Sequence, residues 1–257
     1  MKDGDRNPVV AENPEGRGTF VIVCDHASNR IPEDCKAFGF AEDALQTHIA
    51  WDPGALQVAR RLSARFDSTL LWPDVSRLVI DCNRAPDASS LIVTESESRK
   101  VEANHAMSAE ERSRRLNTIH WLYHIAIDSC LAHRQVARLP TMLVAIHSFT
   151  PVYLGKARPW QVGIVFDEDR RLADILIEGL RADSSLTVGI NEPYSPADQV
   201  YYTVARHAHS RRLPAAMIEI RNDEIDDEAG QRRWADRLAA ILAAAELRLV
   251  GASHAAM

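Results

Sequence analysis

The chain has 257 residues, 46% of them hydrophobic and 26% charged, enough for one large domain or two small ones around a sizeable core. A net charge of −6 argues against general nucleic-acid binding, which needs a basic face for phosphate contacts, but leaves room for a small anionic substrate gripped by local arginines. The opening MKDGDRNPVVAENPEGRG has no apolar signal core, no run reaches the roughly 18 apolar residues of a membrane span, and Cys24, Cys35, Cys82 and Cys130 form no CxxC pair, so a cytoplasmic protein with reduced thiols and no membrane partner is expected.

Residues 1–17 are polar and read as a flexible arm, with the folded domain over 18–257. TFVIVCDH (19–26) is a continuous apolar run and predicts a buried strand. The helix at 53–66 starts with Pro53 at its first position and Asp52 as N-cap. Strands are expected at 68–72 and 77–83, followed by a long surface loop over 85–107. A long helix spans 109–134, opened by the S-x-x-E capping box of Ser108 and Glu111. MLVAIHS (142–148), QVGIVFD (161–167) and AAMIEIR (215–221) predict further strands, with helices at 168–182 and 227–249 and a short one within 198–211. Strands as unbroken apolar runs, alternating with helices, indicate a single α/β domain of three layers, helices on both faces of a mainly parallel or mixed sheet.

Ligands of open α/β sheets bind beyond the carboxyl ends of the strands. Those ends carry Cys24-Asp25-His26, Asp81-Cys82-Asn83-Arg84, His147-Ser148 and Glu219-Ile220-Arg221. Two histidines, a glutamate and an arginine at similar strand ends suit a zinc hydrolase: His and carboxylate ligands leave a place for water, a further carboxylate takes the water's proton, and an arginine holds a carboxylate or an oxyanion. The plainer alternative has both histidines bonded to backbone and Glu219 paired with Arg206 or Arg221. A Ser/His nucleophile scheme is disfavoured, because adjacent Ser148 and His147 point to opposite sides of a strand and there is no G-x-S-x-G elbow. His120, His124 and His133 read as packing or surface residues of the long helix.

IHSFT, MIEIRND and VIDCNR resemble, in that function and place, the third-ligand, catalytic-glutamate and Asp-x-Asn-Arg segments of the zinc carboxypeptidases. The chain resembles more closely the N-formylglutamate amidohydrolase family, through DHASNRIP (25–32), SRLVIDCNRAPD (76–87), His147-Ser148 and the Arg206-His207 segment. The resemblance spans about residues 20–225. It implies a zinc carboxypeptidase-like, phosphorylase/hydrolase-like fold and a zinc (or other divalent metal) amidohydrolase that converts N-formyl-L-glutamate to formate and L-glutamate, a reaction of histidine degradation. It implies His26 and His147 as metal ligands, Glu219 as general base, and Asn83, Arg84, Arg30, Arg206 and His207 around a small anionic N-acyl amino acid. The chain departs from the carboxypeptidase pattern at Asn29, where His-x-x-Glu would place a ligand. Asp52 is the expected replacement, ahead of His48 and Glu33. A carboxypeptidase, another N-acyl amino acid deacylase, a muramoyl-amidase-like enzyme or a metal-free binding protein are the rival readings, and the oligomeric state stays open.

Overall fold

A computed structural model describes residues 7–36, 39–97 and 99–255. Strand β1 (Val9–Glu12) leads to β2 (Phe20–Val23). The one-turn helices α1 (Glu33–Lys36) and α2 (Glu42–Leu45) precede α3 (Ala55–Phe66) and β3 (Thr69–Pro73). A small hairpin, β4 (Glu95–Ser96) and β5 (Arg99–Lys100), comes before α4 (Ala109–Arg115) and α5 (Trp121–Val136), which are joined through a π-helical turn at Leu116–His120. Then follow β6 (Met142–Phe149), the hairpin of β7 (Val152–Tyr153) and β8 (Lys156–Ala157), β9 (Val162–Val165), α6 (Arg171–Arg181), β10 (Val188–Ile190), α7 (Tyr202–Val204), β11 (Ala215–Arg221) and α8 (Glu228–Ala255).

Seven strands form one mixed sheet in the order β1-β3-β2-β6-β11-β9-β10. The central run β3-β2-β6-β11 is parallel, while β1 and β9 run antiparallel to their inner neighbours. Successive side chains on a strand face opposite ways, and here both faces are apolar. Phe20, Ile22, Val144 and Ile218 pack with Leu62 of α3, Leu176 of α6 and Leu238 of α8. Val21, Val23, Leu143 and Met217 pack with Tyr123, Ile127 and Leu131 of α5. That two-sided burial is why the strands read as unbroken hydrophobic runs.

The structure corrects the sequence reading at several places. Residues 77–83 form turns rather than a strand. Val79 N–H turns back to Ser76 O, and Asp81 N–H bonds to Leu91 O, so the backbone groups are spent within loops although Val79 and Ile80 are buried. Val9–Glu12, within the stretch read as an arm, pairs with β3 at the sheet edge; residues 1–6 lie outside the described residues. β10 also escaped the reading, being three residues long. Helix α3 starts at Ala55 with Gly54 before it in the left-handed region, φ 79°, so neither Pro53 nor Asp52 has the expected helix-start role. The carboxylate of Asp52 is thereby free of capping.

Candidate metal centre and active site

β2 ends at Val23, and the chain turns so that Asp25 and His26 sit beyond its carboxyl end. The loop before α3 is fastened to that turn by Asp52 N–H on His26 O (2.8 Å) and to β6 by Ser148 Oγ on Pro53 O (2.8 Å). His147 lies near the end of β6, in register with Glu219 of β11. Three segments far apart in sequence thus meet at one sheet edge.

His26, Asp52 and His147 are all buried, and one ligand atom of each lies within 4.8 Å of the other two. Nδ1 of His26 and Nδ1 of His147 stand 3.3 and 2.9 Å from the same oxygen, Asp52 Oδ2. The opposite nitrogens are held by other carboxylates, His26 Nε2 by Asp81 Oδ1 (2.7 Å) and His147 Nε2 by Asp25 Oδ2 (2.9 Å). A neutral imidazole has one N–H to donate. With both rings neutral, as ligation of a metal requires, and those hydrogens donated to the outer carboxylates, two nitrogen lone pairs and a carboxylate oxygen converge on one point, a donor set that a divalent cation satisfies. Outer carboxylates that orient ligating histidines are the usual support of such centres.

The electrostatics record the same crowding. Burial raises the Asp52 and Asp25 carboxyls, but His26 and His147 outweigh it and leave both below the usual carboxylate range. Burial lowers His147, and the bonds to Asp25 and Asp52 more than offset it, so the ring is held well above the usual histidine value. Glu219 is 4% exposed, and burial pushes its carboxyl up to about 7, against the pull of His147. Its Oε2 is buried without a hydrogen-bond partner.

His26, Asp52, His147 and Glu219 line a cavity of about 270 Å³, which Asn83, Arg84, Arg77, His48 and Tyr194 also reach. Arg77 spans two of the carboxylates, 3.4 Å from Asp52 Oδ1 and 2.9 Å from Asp81 Oδ2. Arg84 is anchored by Ser90 Oγ at Nε and by Asn83 O at Nη1. The ring-holding roles of Asp25 and Asp81 went unread; the signal available was their place beside His26 and at the head of the DCNR segment. His48 lines the cavity wall bonded to Glu97 (2.8 Å), while Glu33 pairs with Lys36 on α1, away from the cavity.

Three expected substrate residues stand outside the cavity lining. Arg30 is taken up by Asp74 (3.0 Å), Arg206 lies over the Trp121 ring beside Asp128, and His207 is fully buried between Asp128 and His124. None of the three lines the cavity. Nearness to a motif in sequence did not survive the π-helical turn at Ala205–His209, which directs this segment toward α5.

The family model of N-formylglutamate amidohydrolase matches residues 18–225, the segment that carries every residue of the cluster. The chain belongs to the N-formylglutamate amidohydrolase family. Membership makes it a hydrolase of amide bonds. Among solved structures, the gene product Atu2144 of Agrobacterium tumefaciens is 40% identical, with a TM-score of 0.92 and 95% of this chain and 97% of that one covered. N-formylglutamate amidohydrolase from Ralstonia eutropha JMP134 is 21% identical, with a TM-score of 0.68 and coverage of 94% and 98%, and shares the fold. No curated protein matches the chain. Among the described residues no helix is long and apolar enough to cross a membrane.

Proposed function

We propose that this protein is a divalent-metal-dependent amidohydrolase that cleaves the C–N bond of a small acidic N-acyl amino acid, N-formyl-L-glutamate above all, releasing formate and L-glutamate. The convergence of His26, Asp52 and His147 on one point, in a cavity shared with Glu219 and Arg84, carries this reading. Zinc suits the nitrogen and oxygen donors.

Bound there, the cation supplies Lewis acidity toward a water and the scissile carbonyl. Glu219 moves the proton. Its carboxylate accepts one from the attacking water and returns it to the departing nitrogen. Arg84 holds the substrate carboxylate with the charge of its guanidinium, and Asn83 stands beside it in the cavity wall. Arg77 neutralises Asp52 and Asp81, keeping the carboxylate-rich floor from repelling an anionic substrate.

The test is formate release from N-formyl-L-glutamate by protein stripped with chelator and reloaded with zinc, beside N-acetyl-L-glutamate, N-formyl-L-leucine and a C-terminal dipeptide. Metal-dependent turnover, fastest with the N-formyl acidic substrate, is expected. Preference for the dipeptide would make it a carboxypeptidase, and turnover unaffected by chelation would remove the metal from the reading.

A further inference from the structure

Asn83 and Arg84 stand at the cavity wall and, with Cys82 before them, lie in a turn outside any strand, so no sheet ladder serves their carbonyl groups. Buried carbonyls need donors from elsewhere. Two histidines of the long helical segment supply them, joined at Cys82 O by Thr203 Oγ1 at 3.4 Å. His120 Nε2 lies 2.9 Å from Arg84 O, and His124 Nε2 lies 3.0 Å from Cys82 O. A carbonyl oxygen only accepts, so each ring carries its hydrogen on Nε2. Both rings are fully buried, and burial holds both below the usual histidine range, His124 at about 2, so each is a neutral donor at neutral pH.

The two bonded carbonyls bracket Asn83. Its side chain is fixed from a third direction, with Thr203 N–H on Oδ1 (3.0 Å) and Nδ2 on Val200 O. His120 ends the π-helical turn Leu116–His120 and His124 follows four residues later, so the two rings share one face of the helix, 4.5 Å apart between centroids. Behind His124 stand His207, Nδ1 to Nε2 at 2.8 Å, and Asp128, 3.0 Å from His207 Nδ1, and a neutral His207 has one hydrogen for these two contacts. Burying imidazoles on a helix face that packs against a core carries a desolvation cost an apolar side chain would avoid. Their Nε2 bonds both lead to the segment that presents Asn83 and Arg84.

We propose that His120 and His124 are positioning residues: by gripping the carbonyls of Arg84 and Cys82 they set where Asn83 and Arg84 stand toward the substrate carboxylate. The assignment rests on the function proposed above. It predicts an effect on substrate capture rather than on the chemical step, because neither ring reaches the metal-type cluster or Glu219.

The experiment compares His120→Leu and His124→Leu with His120→Gln and His124→Gln, since a glutamine amide can place a donor near the lost Nε2. Two quantities are read on zinc-loaded protein: hydrogen–deuterium exchange of a peptide spanning residues 81–84, and kcat and KM for N-formyl-L-glutamate. Each leucine variant should speed exchange in that peptide and raise KM about tenfold, the size expected when a buried carbonyl loses its donor, with kcat within about twofold and the glutamine variants closer to wild type. If a leucine variant does not fold, the glutamine variants decide, by exchange and KM lying between wild type and a tenfold change. Wild-type exchange in the 81–84 peptide, an unchanged KM beside faster exchange, or a fall in kcat as large as the rise in KM would each overturn the assignment. If wild-type protein leaves N-formyl-L-glutamate intact, the proposed substrate fails, and the exchange measurement by itself still decides whether the two histidines hold the segment.

Discussion

Glu219 and His147 face each other in register across β11 and β6, which puts a carboxyl with an unpartnered oxygen beside a metal-type cluster. Glu219→Gln keeps the size and removes the base. It should lower kcat by about 10²–10⁴-fold, the usual share of general acid–base catalysis, while zinc content by elemental analysis stays at the wild-type level. His147→Ala removes a converging nitrogen and should release the metal. Zinc at roughly a hundredfold its Kd should raise the wild-type Tm by about 5–10 °C, and the variant's Tm should not respond. At this scale the sequence was most legible in position, as for His26, His147 and Glu219, which stand together at the strand ends. It was least legible for Arg206 and His207, which share a segment with a family motif yet turn toward Asp128.

Among the elements, the loop before α3 carries the most consequence, because it delivers Asp52. Gly54 holds φ 79°, and a Cβ there would lie 2.3 Å from Ile225 O. Gly54→Ala therefore meets both a strained backbone and a backbone carbonyl that has to shift. Unfolding by denaturant should show a loss of at least about 1–3 kcal/mol, and weaker zinc affinity should accompany it, since Asp52 moves with the loop. A variant with wild-type stability and metal binding would show that the loop relaxes around the added methyl. The sequence placed Asp52 correctly next to this helix but assigned it the cap. Pro53 suggested a helix start two residues too early, and only the left-handed Gly54 sets the true boundary at Ala55. The 77–83 segment was misread for a related reason. Its apolar residues are buried as in a strand, but Ser76 and Leu91 take its backbone bonds.

Over the whole molecule, buried histidines tie stability to pH. His124 is neutral in the fold, held at about 2 against its ordinary 6.5, mainly by burial. Unfolding returns it to water, where it binds a proton below 6.5. Its contribution to stability is therefore complete above that pH and is lost progressively as pH falls toward about 2, by up to about 1.4 kcal/mol per pH unit. Urea unfolding of wild type and His124→Gln at pH 7, 6 and 5 isolates this group. The wild type should lose more stability between pH 6 and 5 than the variant, and parallel losses would place the acid sensitivity in other groups.

The sequence alone determined the layered α/β order, because strands buried on both faces must be unbroken apolar runs and helices must separate parallel neighbours. It also determined which residue types stand at the carboxyl ends of β2, β6 and β11. Tertiary structure decided which of them meet. Asp52 reaches the histidines through a loop fastened by Ser148, Arg77 joins the floor from a turn, and His120 and His124 face the Cys82–Arg84 segment because a π-helical turn precedes α5. Those meetings depend on loop paths set by individual backbone hydrogen bonds and one left-handed glycine, and such contacts leave no periodic trace along a chain.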